Sequence, residues 1–336
     1  MLKFIIRRSL QMVLALFMLS LLLFAWLHAL PGGPVSALLG ERGNPEAAAD
    51  LRAQLGLDQP LPVQYWQFLQ RAFAGDFGIS TGVFAGQPAM RVFLDRFPAT
   101  IELSVLALIF ALVMAVPLGY AAARRRGSAL DTSLVISSLV GVAVPVFFLA
   151  FVLKYFFAVQ WGVLPPSGYQ TAGLNATRVT GFGLLDGLLT REWDAAWDTF
   201  RHLLLPALAL SSIPFAVIFR ITRASVLDVL DEDYVRTARA KGLTGRVIRS
   251  RHIMRNALIP VVTIIGLQVG ALLAGAVLTE KVFAYPGIGQ ALALGFEKRD
   301  YPVLQVVIFM AALIYIVVNL LVDIAYAVID PRVRTR

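Results

Sequence analysis

Six continuously apolar blocks organise the chain: Leu10–Leu30, Thr100–Ala123, Leu134–Val159, Leu203–Phe219, Ala257–Leu278 and Val303–Ile329. None alternates as a half-buried strand would. Each approaches the roughly 20 residues a helix needs to cross a bilayer. A helix satisfies its own backbone groups in lipid, so the pattern predicts about six transmembrane helices rather than a barrel. Prolines interrupt several blocks, at Pro117, Pro145, Pro206 and Pro214, and predict kinks rather than breaks. Between the first two blocks lies a long polar stretch, Pro31–Pro98. There Asn44–Leu55 reads as a helix rich in Ala, Glu, Leu and Arg. GLDQPLP reads as a turn, and Val63–Phe73 as an amphipathic helix carrying Tyr65, Trp66 and Phe68.

This gives an all-α integral membrane protein. Residues 1–30 form an N-terminal signal-anchor helix, because the run after Lys3, Arg7 and Arg8 exceeds the 7–15 apolar residues of a cleaved signal. Residues 31–95 are an external, partly helical loop region. Residues 96–330 are the transmembrane domain of helices 2–6, with a cytoplasmic loop at 220–260, and 331–336 a basic cytoplasmic tail. The composition agrees, with 58% hydrophobic residues and a mean hydropathy of +0.73.

The formal charge of +9 could suggest nucleic acid, but its placement argues for topology. The N-terminus, Arg124–Asp131, Arg220–Asn256 and the tail hold 18 Lys and Arg, against 11 in the longer intervening loops. Those intervening loops also hold 13 Asp and Glu, leaving them net negative. Basic loops stay cytoplasmic, so both termini are expected inside and residues 31–98 outside. No aromatic-interleaved basic patch points to nucleic acid. There are no cysteines and three distant histidines, so neither thiolate chemistry nor a zinc-spaced ligand set is available.

The most informative stretch is Arg220–Pro260, far longer than a connector requires. Within it Asp231, Glu232 and Asp233 precede Arg236, Arg239 and Lys241, which suits the helix dipole. Glu232 and Arg236 have favourable i,i+4 spacing, and Gly242 can adopt the left-handed conformation that ends a helix. With small side chains at Thr237, Ala238 and Ala240, this short helix reads equally as a docking helix for a partner's groove or as an interfacial helix over anionic lipid.

DEDYVRTARAKGL followed by RNALIPVV resembles the cytoplasmic signature of binding-protein-dependent ABC importer permeases. The common form has Glu-Ala-Ala, then Gly four residues after the second Ala, then Leu-Pro. Here stand Arg236, Thr237, Ala238, then Gly242, then Ile259-Pro260. The missing Glu and first Ala, and the longer Gly-to-Pro spacing, look like the dipeptide/oligopeptide/nickel subfamily. LPGGPV, LGLDQPLPVQYW, GDFGIS, FPATIELS, LTEKVFAYPGIGQ, KRDYPV and NLLVDIAYAVIDPR extend that resemblance over nearly the whole chain. It is strongest toward dipeptide permeases of the first-subunit type.

The resemblance implies a type I ABC importer permease fold in a bacterial inner membrane. It also implies import of dipeptides or short oligopeptides, with nickel or glutathione as the alternative cargo. The expected partners are a second homologous permease, two P-loop ATPase subunits carrying ATP and Mg, and an extracytoplasmic binding protein. Asp233, Tyr234, Arg236, Thr237, Ala238, Arg239, Ala240, Lys241 and Gly242 fall on the family's coupling helix, which docks on the ATPase. None of the five lysines follows a glycine, so this chain has no phosphate loop; the resemblance implies no catalytic residue and no cofactor or metal of its own.

Polar residues inside the blocks are costly and therefore informative. Lys154 is expected to snorkel to the outer interface, Glu102 to lie at the outer start of helix 2, and Asp323 to pair with an inner-flank arginine. Gln268 lines the translocation path or makes an interhelical hydrogen bond. Gly266, Gly270 and Ala274 have the spacing that lets helices approach closely. An ion-coupled carrier would hold several mid-membrane charges, and a membrane enzyme would show H-E-x-x-H or G-x-S-x-G; the chain has neither pattern.

Overall fold

The computed structural model describes residues 2–29, 35, 45–54 and 57–329. Its helices are α1 (Leu2–Ala29), α2 (Pro45–Gln54), α3 (Leu61–Phe73), α4 (Ala89–Arg124), α5 (Ala129–Ala143), α6 (Val146–Leu153), α7 (Gly183–Leu189), α8 (Trp193–Leu210), α9 (Ser212–Leu230), α10 (Asp233–Ala240), α11 (Arg255–Val282), α12 (Ile288–Lys298) and α13 (Tyr301–Ile329). Wider π-helical turns continue α6 over Lys154–Gln160 and lead into α11 over Ile248–Met254. The only β-type pairing among the described residues is an isolated bridge between Ile79 and Pro88.

Among the described residues, four stretches are single helices long and apolar enough to cross a membrane: Ile6–Trp26, Ala89–Arg124, Gly245–Leu272 and Tyr301–Val322. Two bent pairs raise the number to six if each is one crossing. These are the third and fourth apolar blocks, and they differ from the kinks expected. At Pro145 the chain bends by 105°. Val144 is extended there (φ −80°, ψ 123°), because a proline disfavours helical backbone in the residue before it. That is a break. The fourth block bends by 58° at Ser211, before Pro214, whereas Pro117 and Pro206 lie inside continuous helices.

The chain forms two compact units. One comprises Met1–Thr100, Arg178–Phe182 and Ala284–Arg336. Its core gathers Phe77, Val92, Phe93, Ile288, Val303 and Val307. Leu23 and Phe24 of α1 pack with Phe68 of α3 and with Tyr301 and Phe309 of α13. Polar contacts join α1 to α3: Ser20 Oγ lies 2.7 Å from the Tyr65 hydroxyl, and His28 Nε2 lies 2.9 Å from Gln64 Oε1. Phe68 and Gln64 are thus the buried residues of α3, while Trp66 is exposed. The Asp300 carboxylate is fully buried and accepts bonds from Ser80 Oγ and from the backbone N–H groups of Thr81, Gly82 and Val83. This ties the GDFGIS and KRDYPV segments together. Glu102 does not lie at a helix start as expected. α4 begins at Ala89, and Thr100 Oγ1 accepts a bond from Ile288 N at 2.9 Å.

The second unit comprises Ile101–Thr177 and Gly183–Phe283. Here α9 packs between α5 and α11, with Ala111, Ala115, Ala122, Ile218, Phe219 and Val261 at the centre. Small residues set the spacing. A Cβ on Gly119 would meet Thr222 Cβ at 2.9 Å and Phe219 O at 3.0 Å, so α4 and α9 are nearly in backbone contact.

Candidate functional site

The loop between α9 and α11 forms an ordered cap on the second unit. α10 starts after Glu232, whose extended backbone (φ −70°, ψ 141°) lets the chain turn into the helix, with Asp233 in the first turn. It ends at Lys241, and Gly242 takes the left-handed conformation (φ +73°). Gly242 N donates to Arg239 O at 3.0 Å and Leu243 N to Ala238 O at 3.3 Å, the paired bonds of a Schellman ending. The expected Glu232–Arg236 pair gives way to Arg236 Nη1 on Asp233 Oδ1 at 3.4 Å, one residue closer in sequence and exposed. Such a surface pair adds little stability.

The two faces of α10 differ sharply. Val235 and Ala238 are buried against Ala123, Val226, Ile248, Ile253 and Ala257. Asp233, Tyr234, Arg236, Thr237, Arg239, Ala240, Lys241 and Gly242 are exposed. This corrects one expectation. Ala238 was read as a small residue for close approach by a partner, but its methyl faces the chain's own core. Asn256 Nδ2 donates to the Tyr234 hydroxyl at 2.9 Å, joining the start of α10 to the start of α11.

Beneath this cap lies an ion pair that the sequence did not single out. Arg223 on α9 reaches Asp131 on α5 with two bonds, Nε to Oδ1 at 2.6 Å and Nη2 to Oδ2 at 2.8 Å. Asp131 also accepts from Gly127 N at 3.0 Å, and its own N–H bonds the Ser128 hydroxyl that caps α5. The Ser128-x-x-Asp131 spacing could have flagged the helix start. Nothing local flags the arginine.

The remaining polar residues also find partners. Lys154 does not snorkel. Its Nζ donates to Val282 O at 2.8 Å and lies over the Phe283 ring, so the cation sits at the carbonyl end of α11, where the dipole favours it. Gly168 N bonds Phe283 O at 2.9 Å beside it. Glu102 accepts from the Tyr169 hydroxyl and Leu184 N, both at 2.7 Å. Burial first, then the Glu102 carboxylate, push the Tyr169 hydroxyl's pKa up, which keeps it a neutral donor. Asp198 holds Thr171 through N and Oγ1, at 2.6 and 2.8 Å. Glu192 holds Thr177 the same way, at 2.7 and 2.8 Å, and those bonds draw its pKa below the usual carboxylate value. Gln268 is half-buried on α11, apart from the α10 cluster, and Gly270 is buried. The Asp323 and Ala274 side chains and the tail from residue 330 lie outside the described residues. Among the described residues no three His, Cys, Asp or Glu side chains converge as a metal site would need.

The family model for the binding-protein-dependent transport system inner membrane component matches residues 115–335, and its N-terminal companion matches 1–104. The chain belongs to this family: it is a helical type I permease of the inner membrane, a subunit of an ABC transporter without an ATPase site of its own. The family implies a complex with an ATPase and a binding protein. The chain is similar to the dipeptide transport system permease protein DppB of Escherichia coli K12, 45% identical over 339 residues and covering 99% of both chains. It is 44% identical to the di/tripeptide transport system permease protein DppB of Pseudomonas aeruginosa, again over 99% of both. It is 37% identical over 99% of both to the glutathione transport system permease protein GsiC of Escherichia coli O1:K1.

Proposed function

We propose that this permease carries dipeptides or short oligopeptides inward, and that α10 with Lys241 and Gly242 is its coupling helix. Residues 1–30 act as a signal-anchor helix, 31–95 as an external region, 96–330 as the transmembrane domain and 331–336 as a cytoplasmic tail. Both termini and the 220–260 loop face the cytoplasm, as the Lys/Arg distribution favours. A second, homologous permease completes the membrane part. Two ATPase subunits binding ATP and Mg dock below, and an extracytoplasmic protein delivers the peptide. The relatives named for dipeptides and di/tripeptides support the substrate class.

One observation carries the coupling reading. α10 is stitched to the ends of α4, α9 and α11 by Val235 and Ala238, while its opposite face is exposed. A partner gripping the exposed face would move those helix ends with it. ATP-driven switching requires that the ATP-bound partner favour one permease state over the other.

The test is a tryptophan on the exposed face in the reconstituted transporter. Thr237→Trp, on the exposed face, should leave membrane abundance normal and abolish both peptide uptake and the stimulation of ATP hydrolysis by loaded binding protein. Normal uptake by Thr237→Trp at normal abundance would defeat the docking assignment. The glutathione relative motivates a second cargo reading. Glutathione competing with a dipeptide for uptake as well as an unlabelled dipeptide does would favour it.

A further inference from the structure

We infer that the Asp131–Arg223 pair is a transmission strut that makes α5 move with α10, so that the two residues position that helix for transport. The inference rests on the coupling reading of α10. Val235 and Ala238 of α10 press on Val226 of α9. One turn back along α9, Arg223 grips Asp131 through both carboxylate oxygens, and a bidentate pair fixes orientation as well as distance. Asp131 lies in the first turn of α5, with its side chain 6% exposed, and it also holds the backbone of Gly127. A side chain buried there has little freedom to follow α9 without carrying α5. In the same turn of α9 Thr222 abuts Gly119 at near-backbone contact, so α4 is engaged at the same level.

The consequence concerns the break at Pro145. α5 leads directly into the 105° bend, and Val144 there has no helical continuity to the next segment. A bend of that kind can absorb rotation of α5 without moving α6 as a rigid rod. Displacement of α10 would therefore reach α9 and α11 by packing, and α5 through both its apolar packing on α9 and the ion pair. Apolar packing alone lets α5 slide or turn along α9; the bidentate pair fixes its register.

The test compares transport per ATP hydrolysed in the complete, reconstituted complex. Asp131→Asn keeps the shape and removes the negative charge; Arg223→Gln removes the positive one. Both should hydrolyse ATP in response to loaded binding protein at near-normal rates while uptake per ATP falls at least tenfold. The charge-swapped double variant, Asp131→Arg with Arg223→Asp, should recover a substantial part of that loss. A merely structural pair would lower abundance and thermal stability yet leave uptake per ATP unchanged in the surviving protein, and that result overturns the strut. Should Asp131→Asn fail to accumulate, Arg223→Gln alone is scored: lowered uptake per ATP supports the strut, and an unchanged value overturns it. Thr237→Trp in the same assay separates the two ideas. If it uncouples while Asp131→Asn and Arg223→Gln do not, only the strut fails; if it too has no effect, the coupling reading fails with it.

Discussion

Gly242 offers the sharpest quantitative test of how α10 is built. It occupies the left-handed position of a Schellman ending at φ +73°, and a Cβ placed on it would find nothing within 4 Å. The cost of a side chain there is therefore conformational and not steric. Alanine should cost about 1–2 kcal/mol, the left-handed penalty for an L-residue. Asparagine should cost less, since its short polar side chain tolerates that region. Valine should cost most, because a β-branched residue at positive φ is a genuine outlier. Every 1.4 kcal/mol is tenfold in an opening equilibrium, so the Gly242→Ala helix end should open roughly 5–30 times more often. Hydrogen exchange of the Lys241, Gly242 and Leu243 amides, which bond Thr237, Arg239 and Ala238, reads this directly. Exchange should accelerate in the order Gly, Asn, Ala, Val. Equal exchange for Asn and Ala, or no acceleration with Val, would show that the ending does not depend on left-handed backbone.

Three further outcomes follow from buried or capped groups. Asp300→Ala should strip four donors of their acceptor, at about 1–3 kcal/mol for each one left unpaired, with Asp300→Asn milder; the thermal melt of the purified complex and proteolysis within residues 79–88 measure it. Lys154→Met should cost about 1.5 kcal/mol by removing a charged donor from Val282 O, whereas a snorkelling lysine would cost nothing in the same melt. The Glu192 bonds to Thr177 should hold above the unfolded carboxylate pKa and be lost as pH falls through the lowered folded value; exchange at Thr177 N should rise over that acid window, and Glu192→Gln should raise it already at neutral pH.

The helical blocks were legible because apolar runs of bilayer length admit few alternatives. What the pattern missed is physically uniform. The proline rule marks Val116, Val144 and Leu205 alike as preceding a proline, yet only Val144 leaves the helix. At Pro117 and Pro206 the helix continues, so surrounding packing overrides the local preference. The α7 and α12 helices lie in stretches read as plain external loops. Both are short, and each is held by contacts from outside its own sequence, such as Glu102 on Leu184 N and Thr100 on Ile288 N. The defining polar contacts join residues far apart: 92 positions between Asp131 and Arg223, 128 between Lys154 and Val282, and 220 between Ser80 and Asp300. No window on the sequence contains both partners.

The candidate site shows the same limit on a smaller scale. The ending of α10 was readable, because Gly242 follows a run of cations and only glycine adopts the required backbone freely. The direction of the helix was also implicit, although one of its three small residues, Ala238, belongs to the buried face. Val235 and Ala238 stand three apart and form the one apolar stripe of an otherwise polar helix, and such a stripe turns toward a core. The core was available within the chain itself, in Ala123, Val226 and Ile253. Ala238 is small because α10 must lie close to its own bundle. The face left for a partner is therefore the polar one, carrying Arg236, Thr237, Ala240 and Lys241. A helix attached so firmly on one side and so openly on the other can pass a displacement inward, because its own attachment does not have to break for the partner to bind.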